Sequence, residues 1–141
     1  MGCSTYAVCL VGLRVDPDKL QKVLYKKDLR RSCHCFDEVP KSKCCPECGE
    51  PVWKMVKVPI DGYREDCKFL DFTLCAKSAN RHPEYISIRS TGYINFSQSG
   101  MIDPEELDLP VMMEFMQTKL EPLGLWDAQA FGIHVFLYES C

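Results

Sequence analysis

No apolar run in this chain reaches the length of about 18 residues that a membrane-spanning helix needs. The longest, Tyr6 to Leu13 and Ala130 to Tyr138, fall well short, so no transmembrane helix is expected. The N-terminus has no basic segment leading into an apolar core and a small-residue cleavage site, so no secretory signal is visible. The expected location is therefore intracellular, cytoplasmic or nuclear. Gly2 and Cys3 would supply two lipid anchors if acylated, but the acylation pattern wants Ser or Thr where Tyr6 stands. No polybasic segment follows, and no membrane association is expected. Polar low-complexity stretches are also missing, so the whole chain is expected to fold. Histidine is scarce, with only His34, His82 and His134, and no His-Glu-x-x-His pair is present to build a metallohydrolase.

What is present is a chain of 141 residues, 46% hydrophobic and 26% charged, the composition of a soluble globular domain. At that length folding buries roughly two thirds of the unfolded surface, so a single α+β domain over 1–141 is expected. Residues 5–15 are apolar and β-branched with little charge, as in a central strand buried on both faces. Asp16-Pro17-Asp18 then predicts a capped helix running to about Leu29, with Leu20, Val23 and Leu24 inward and Lys26 and Lys27 at its end. Residues 30–51 lose all periodicity. Strands are expected over 52–58, 69–76 and 85–90, the last extending as far as Phe96. Asp103-Pro104-Glu105-Glu106 reads as a capping box opening a first turn. The main helix then runs from about 110 to 121, buries Val111, Met112, Phe115, Met116 and Leu120, and stops at Pro122 and Gly124. A last strand covers 130–138. This order resembles a ferredoxin-like βαβ-ββαβ sandwich, with 30–51 inserted between the first helix and the second strand.

Ten cysteines in a short chain raise the prospect of a disulfide scaffold, but Cys33, Cys35, Cys44, Cys45 and Cys48 crowd into the insertion at metal-ligand spacings. Cys3, Cys9, Cys67, Cys75 and Cys141 are scattered; Cys9 and Cys75 lie in apolar runs and are expected to pack as small hydrophobes. Cys33-His34-Cys35, nine residues, then Cys45-Pro46-Glu47-Cys48-Gly49 gives two short chelating pairs. Such pairs can close a tetrahedral sulfur site around one structural Zn²⁺. His34 or Cys44 could replace one of the quartet Cys33, Cys35, Cys45 and Cys48. A redox dithiol at Cys45 and Cys48 would need a helix starting there, which Gly49-Glu50-Pro51 prevents. A zinc deaminase would need Glu where Phe36 stands. Cys67 with His82 or His134 could form a nucleophile and base, but no local motif supports the pairing.

The net charge of −3 is uneven. Residues 19–57 hold ten Lys or Arg against five Asp or Glu, a balance of +5 that leaves −8 for the rest. Four thiolates on one Zn²⁺ would reduce that surplus by two. Phe36, Trp53 and Tyr25 lie among these cations, as in a surface that stacks bases.

The Cys-Pro-x-Cys-Gly segment from Cys45 to Gly49 resembles the knuckle of zinc ribbons. Residues 5–58 resemble, most specifically over Cys45 to Trp53, uncharacterised proteins of phages and large DNA viruses, in which case a place in the virion is also open. That resemblance implies no activity. The expected function is a non-enzymatic, zinc-stabilised interaction module that binds a protein partner. The second reading is nucleic-acid binding through Lys26, Lys27, Arg30, Arg31, Lys41 and Lys43, and the third a zinc- or thiol-dependent enzyme.

Overall fold

The computed structural model describes residues 2–64 and 67–140. The chain divides into two compact units, Met1–Val23 with Asp61–Cys141, and Leu24–Ile60. The class is mixed α+β, with mostly antiparallel sheet and two α-helices. Cys141 lies outside the described residues.

The first unit is organised on β1 (Ser4–Arg14), whose Val8, Leu10, Val11 and Leu13 are all buried, as expected of a central strand. The Asp16 carboxylate then accepts the Asp18 N–H at 2.9 Å and opens α1 (Pro17–Leu24). Further along are β4 (Tyr63–Arg64), β5 (Lys68–Phe69), β6 (Phe72–Cys75), β7 (Tyr85–Ser90) and β8 (Phe131–Ser140); β2 and β3 belong to the second unit. The sheet order is β4-β5-β6-β7-β1-β8, and every pairing in it is antiparallel.

The strand expected over 69–76 is two strands. Phe69 pairs with Phe72 across a two-residue turn in which Leu70 takes a φ of 52°. Beyond β7 the chain does not continue as a regular strand to Phe96. Instead Thr91 and Ile94 donate their N–H groups to the carbonyls of Cys9 and Ala7 at 2.9 and 3.0 Å, extending the β7 side of β1. At Gly12 the β7 backbone leaves no room for a Cβ, beside an irregularity in the β1–β7 register between Val11 and Gly12. Val8, Leu10, Cys75, Tyr85 and Phe136 form one buried cluster. Burial pushes the Cys75 thiol up to about 11, consistent with the packing role expected of it.

Asp103 accepts the Glu105 N–H at 2.9 Å and starts a 3₁₀ turn at Pro104–Glu106. Asp108, not the Asp103 box, caps α2 (Leu109–Leu120) through the Val111 N–H at 3.3 Å. Met112, Met116 and Leu120 are buried as expected, whereas Val111 and Phe115 are exposed. The three buried residues follow a single i, i+4 row, so the helix buries a narrow stripe and leaves its flanks in solvent. Gly124, at a φ of 71°, ends the helical segment.

Among the described residues no helix is long and apolar enough to cross a membrane.

Candidate metal centre

The second unit is a two-stranded antiparallel ribbon with a loop closing one end. β2 (Tyr25–Arg31) pairs with β3 (Trp53–Pro59) in continuous register from Tyr25 opposite Pro59 to Arg31 opposite Trp53. The helix expected to reach Leu29 therefore stops at Leu24, and Lys26 and Lys27 are strand residues. Pairing with a segment distant in sequence overrides the local helical signal. The strand expected over 52–58 is β3, in a sheet of its own. The cysteine-rich segment thus follows a strand, not the first helix.

At the loop end the Ser32 N–H donates to Val52 O at 2.9 Å, and the Ser32 hydroxyl donates to Pro51 O. At the other end the Ile60 N–H donates to Leu24 O at 2.9 Å. The strands thus deliver Cys33 and the 43–52 limb to the same point.

Each cysteine pair is set by local backbone geometry. Val52 N–H donates to Lys43 O, Cys44 bridges Pro51, and Cys45 N–H donates to Glu50 O at 2.7 Å. This narrow hairpin has the Cys45–Cys48 turn at its tip. Gly49 closes the turn, donating to Cys45 O at 2.9 Å with a φ of 73°, which glycine adopts without a Cβ penalty. On the other limb the chain bends at Cys35, whose N–H lies 3.4 Å from the Cys33 sulfur, bringing the two cysteines together. The Arg31 guanidinium donates to the carbonyls of Phe36 and Asp37 and ties that limb to the ribbon.

The result is that the Sγ atoms of Cys33, Cys35, Cys45 and Cys48 all lie within 4.8 Å of one another. A tetrahedral site with metal–sulfur bonds of about 2.3 Å sets its sulfurs about 3.8 Å apart, so the cluster fits one ion. The quartet is the one expected from the spacing. His34 and Cys44 are not part of it, and both are exposed. Cys33 and Cys45 are buried while Cys35 and Cys48 face solvent.

The thiols do not ionise alike. The Cys35 N–H, 3.4 Å from the Cys33 sulfur, together with the surrounding thiols, brings Cys33 down to about 7. Cys35 is pushed up to about 12, chiefly by the hydrogen bond between its thiol and the Cys33 sulfur, then by that with Cys48 and by burial. For Cys48 the backbone of Glu50 favours the thiolate, but Cys33, burial and Cys45 outweigh it and leave the group raised. Cys33 thus forms a thiolate readily, whereas Cys35 and Cys48 hold their protons more tightly. Beside the quartet Lys54 donates to Glu50 at 2.9 Å, holding the Glu50 carboxyl below its ordinary range.

The four clustered groups are all cysteine sulfurs, with no carboxylate or histidine among them. His134 Nε2 lies 2.9 Å from Ala130 O and its ring sits 5.3 Å from that of Tyr85, while His82 and Cys67 are exposed. Among the described residues no hydrogen bond joins Cys67 to either histidine.

The basic residues singled out in the sequence are divided by the structure. Arg31 holds the loop, Arg30 pairs with Asp28 at 2.9 Å, and Lys41 and Lys43 lie on the loop itself. Lys26 and Lys27 line β2, where Lys27 faces Lys57 across the ribbon. Sequence periodicity missed this ribbon because β2 reads Tyr-Lys-Lys-Asp-Leu-Arg-Arg, with no apolar alternation to announce a strand.

No protein-family model matches the chain, and neither a curated protein nor a solved structure is significantly similar to it. The resemblance to phage and large-DNA-virus proteins gains no support from these comparisons.

Proposed function

We propose that Cys33, Cys35, Cys45 and Cys48 hold one structural zinc ion, and that this ion makes Leu24–Ile60 a rigid, non-enzymatic interaction module. The observation that carries the reading is the convergence of four sulfurs within 4.8 Å at the end of a ribbon that has almost no core of its own. Every residue of β2 and β3 is at least partly exposed. A two-stranded hairpin is marginal in water, and units of fewer than about 40 residues generally need a metal, disulfide or partner to fold. Bound zinc would supply cross-linking, tying the Cys33 limb to the Cys45 limb. Thiolate donors also suit iron, so metal identity is part of the test.

The strand order β6-β7-β1-β8, with α1 preceding β6 and α2 preceding β8, supports a ferredoxin-like reading of the first unit, on which the module is an insertion.

Elemental analysis of the purified chain is expected to find about one equivalent of zinc, with no visible iron–thiolate absorption. Cys45→Ser is expected to lose the metal and lower the melting temperature. Less than about half an equivalent of zinc, together with an unchanged melting temperature in Cys45→Ser, would overturn the assignment.

A further inference from the structure

We propose that one face of the β2–β3 ribbon binds single-stranded nucleic acid, with phosphates on the Lys27–Lys57 pair and a base stacked on Trp53. The inference rests on the metal-stapled module proposed above and names the partner of that unit.

The register sorts the ribbon's side chains into two faces, because alternate residues of a strand point to opposite sides. Tyr25, Lys27, Leu29 and Arg31 share a face with their cross-strand partners Pro59, Lys57, Met55 and Trp53. That face carries no Asp or Glu. The opposite face carries Lys26, Asp28, Arg30, Lys54, Val56 and Val58, and its one acid is spent on Arg30. The two strands together hold six Lys or Arg against Asp28 alone, in a chain whose net charge is −3.

Lys27 and Lys57 stand directly opposite each other, an arrangement that destabilises a β-ladder unless an anion lies between the ammonium groups. Among the described residues neither makes an ion pair. Two residues further along, the same face turns apolar. Met55 is 60% exposed and Trp53 48%, with Leu29 exposed opposite Met55. Arg31 is left out of the binding face, because its guanidinium is engaged by loop carbonyls.

A cationic pair beside an open aromatic ring is the pairing of features that single strands require: charge tracks the backbone, and any unpaired base can stack. A duplex keeps its bases stacked on one another. Trp53, Met55 and Leu29 could not read base edges in its grooves, which present hydrogen-bonding groups. An acidic protein segment, the nearest form of the protein partner expected from sequence, would satisfy the lysines but gives no reason for the exposed indole among them.

The test uses the metal-loaded full chain and a fluorescein-labelled oligothymidylate of about 15 nucleotides, followed by anisotropy between about 50 and 200 mM salt. Saturable binding that weakens with salt is expected. Lys27→Gln with Lys57→Gln should reduce the slope of log K against log salt by about 1.4, at about 0.7 for each phosphate no longer neutralised. Trp53→Ala should weaken binding at least about fivefold at fixed salt. In a Trp126→Phe background, the oligonucleotide should quench the remaining indole. Each variant is checked for one metal equivalent, so full metal with no saturable binding overturns this inference and leaves the metal centre standing. Displacement by polyglutamate at equal charge, with Trp53→Ala binding like the parent, would also overturn it, since the face would then be a site for acidic protein.

Discussion

A Cβ built on Gly12 would collide with the carbonyl oxygen of Ile86 and lie 2.9 Å from the Cα of Ser87, both on the neighbouring backbone of β7. Backbone cannot swing aside as a side-chain tip can, so β1 and β7 would have to separate at the centre of the sheet. Gly12→Ala is expected to cost about 3 kcal/mol, at the upper end of overpacking changes, measured by urea denaturation. A cost below about 0.5 kcal/mol would mean the strands part easily there. Nothing in the sequence marked this glycine, because the need for it comes from a strand more than 70 residues away. The cysteine quartet was legible for the opposite reason. Each chelating pair is local, Cys33 with Cys35 and Cys45 with Cys48, so spacing alone carries most of the geometry. That His34 and Cys44 lie outside the sulfur cluster could be seen only in the folded chain.

The same division between local and distant causes runs through the elements. β1, β7, α2 and β8 were readable because their apolar patterns are dictated by what they bury. The end of α1 was not readable: Tyr25 to Leu29 carry helix-compatible residues, and only pairing with Trp53–Pro59 makes them a strand. Phe115 was expected to be fully inward, yet it lies edge-on to Phe72 at a centroid distance of 5.7 Å and remains partly in solvent. β8 shows a further consequence of position. It is the outermost strand, and Ile133, Val135 and Leu137 project from one of its faces into solvent, Val135 with 73% exposure. Ala7 and Cys9 turn their backbone groups toward Thr91 and Ile94. Their partners Leu137 and Val135 therefore turn theirs toward the open edge. Among the described residues only Glu139, of the same parity, is covered, by Lys77 and Ala79. Exposed apolar side chains on an uncapped edge invite aggregation, and lysine is a common natural remedy. Val135→Lys is expected to delay the onset of light scattering on heating and with concentration, while stability stays within about 0.5 kcal/mol. Scattering identical to the parent would show that this edge is not the aggregating surface.

At the scale of the whole molecule the two units draw their stability from different sources. The Met1–Val23 and Asp61–Cys141 unit has a six-stranded sheet with a buried cluster on β1, β6, β7 and β8. In Leu24–Ile60 the buried hydrophobic residues are Leu24, Cys33, Cys45 and Val52, two of which are proposed ligands. On the proposed zinc site, removing the metal would leave four thiols and no apolar core to replace the lost cross-link. A strong chelator should therefore open the second unit selectively. Trypsin reads this directly, since Lys26, Lys27, Lys41, Lys43, Lys54 and Lys57 all lie within it. Cleavage there is expected to accelerate at least about tenfold on chelation, equivalent to about 1.4 kcal/mol of opening free energy when cleavage tracks the open population. Fragments from the sheet unit should persist under the same conditions, and far-UV circular dichroism should change only by the ribbon's small share. Cleavage at an unchanged rate would deny the metal its structural role. Digestion of the sheet unit at the same accelerated rate would show instead that the metal's contribution is shared by the whole chain.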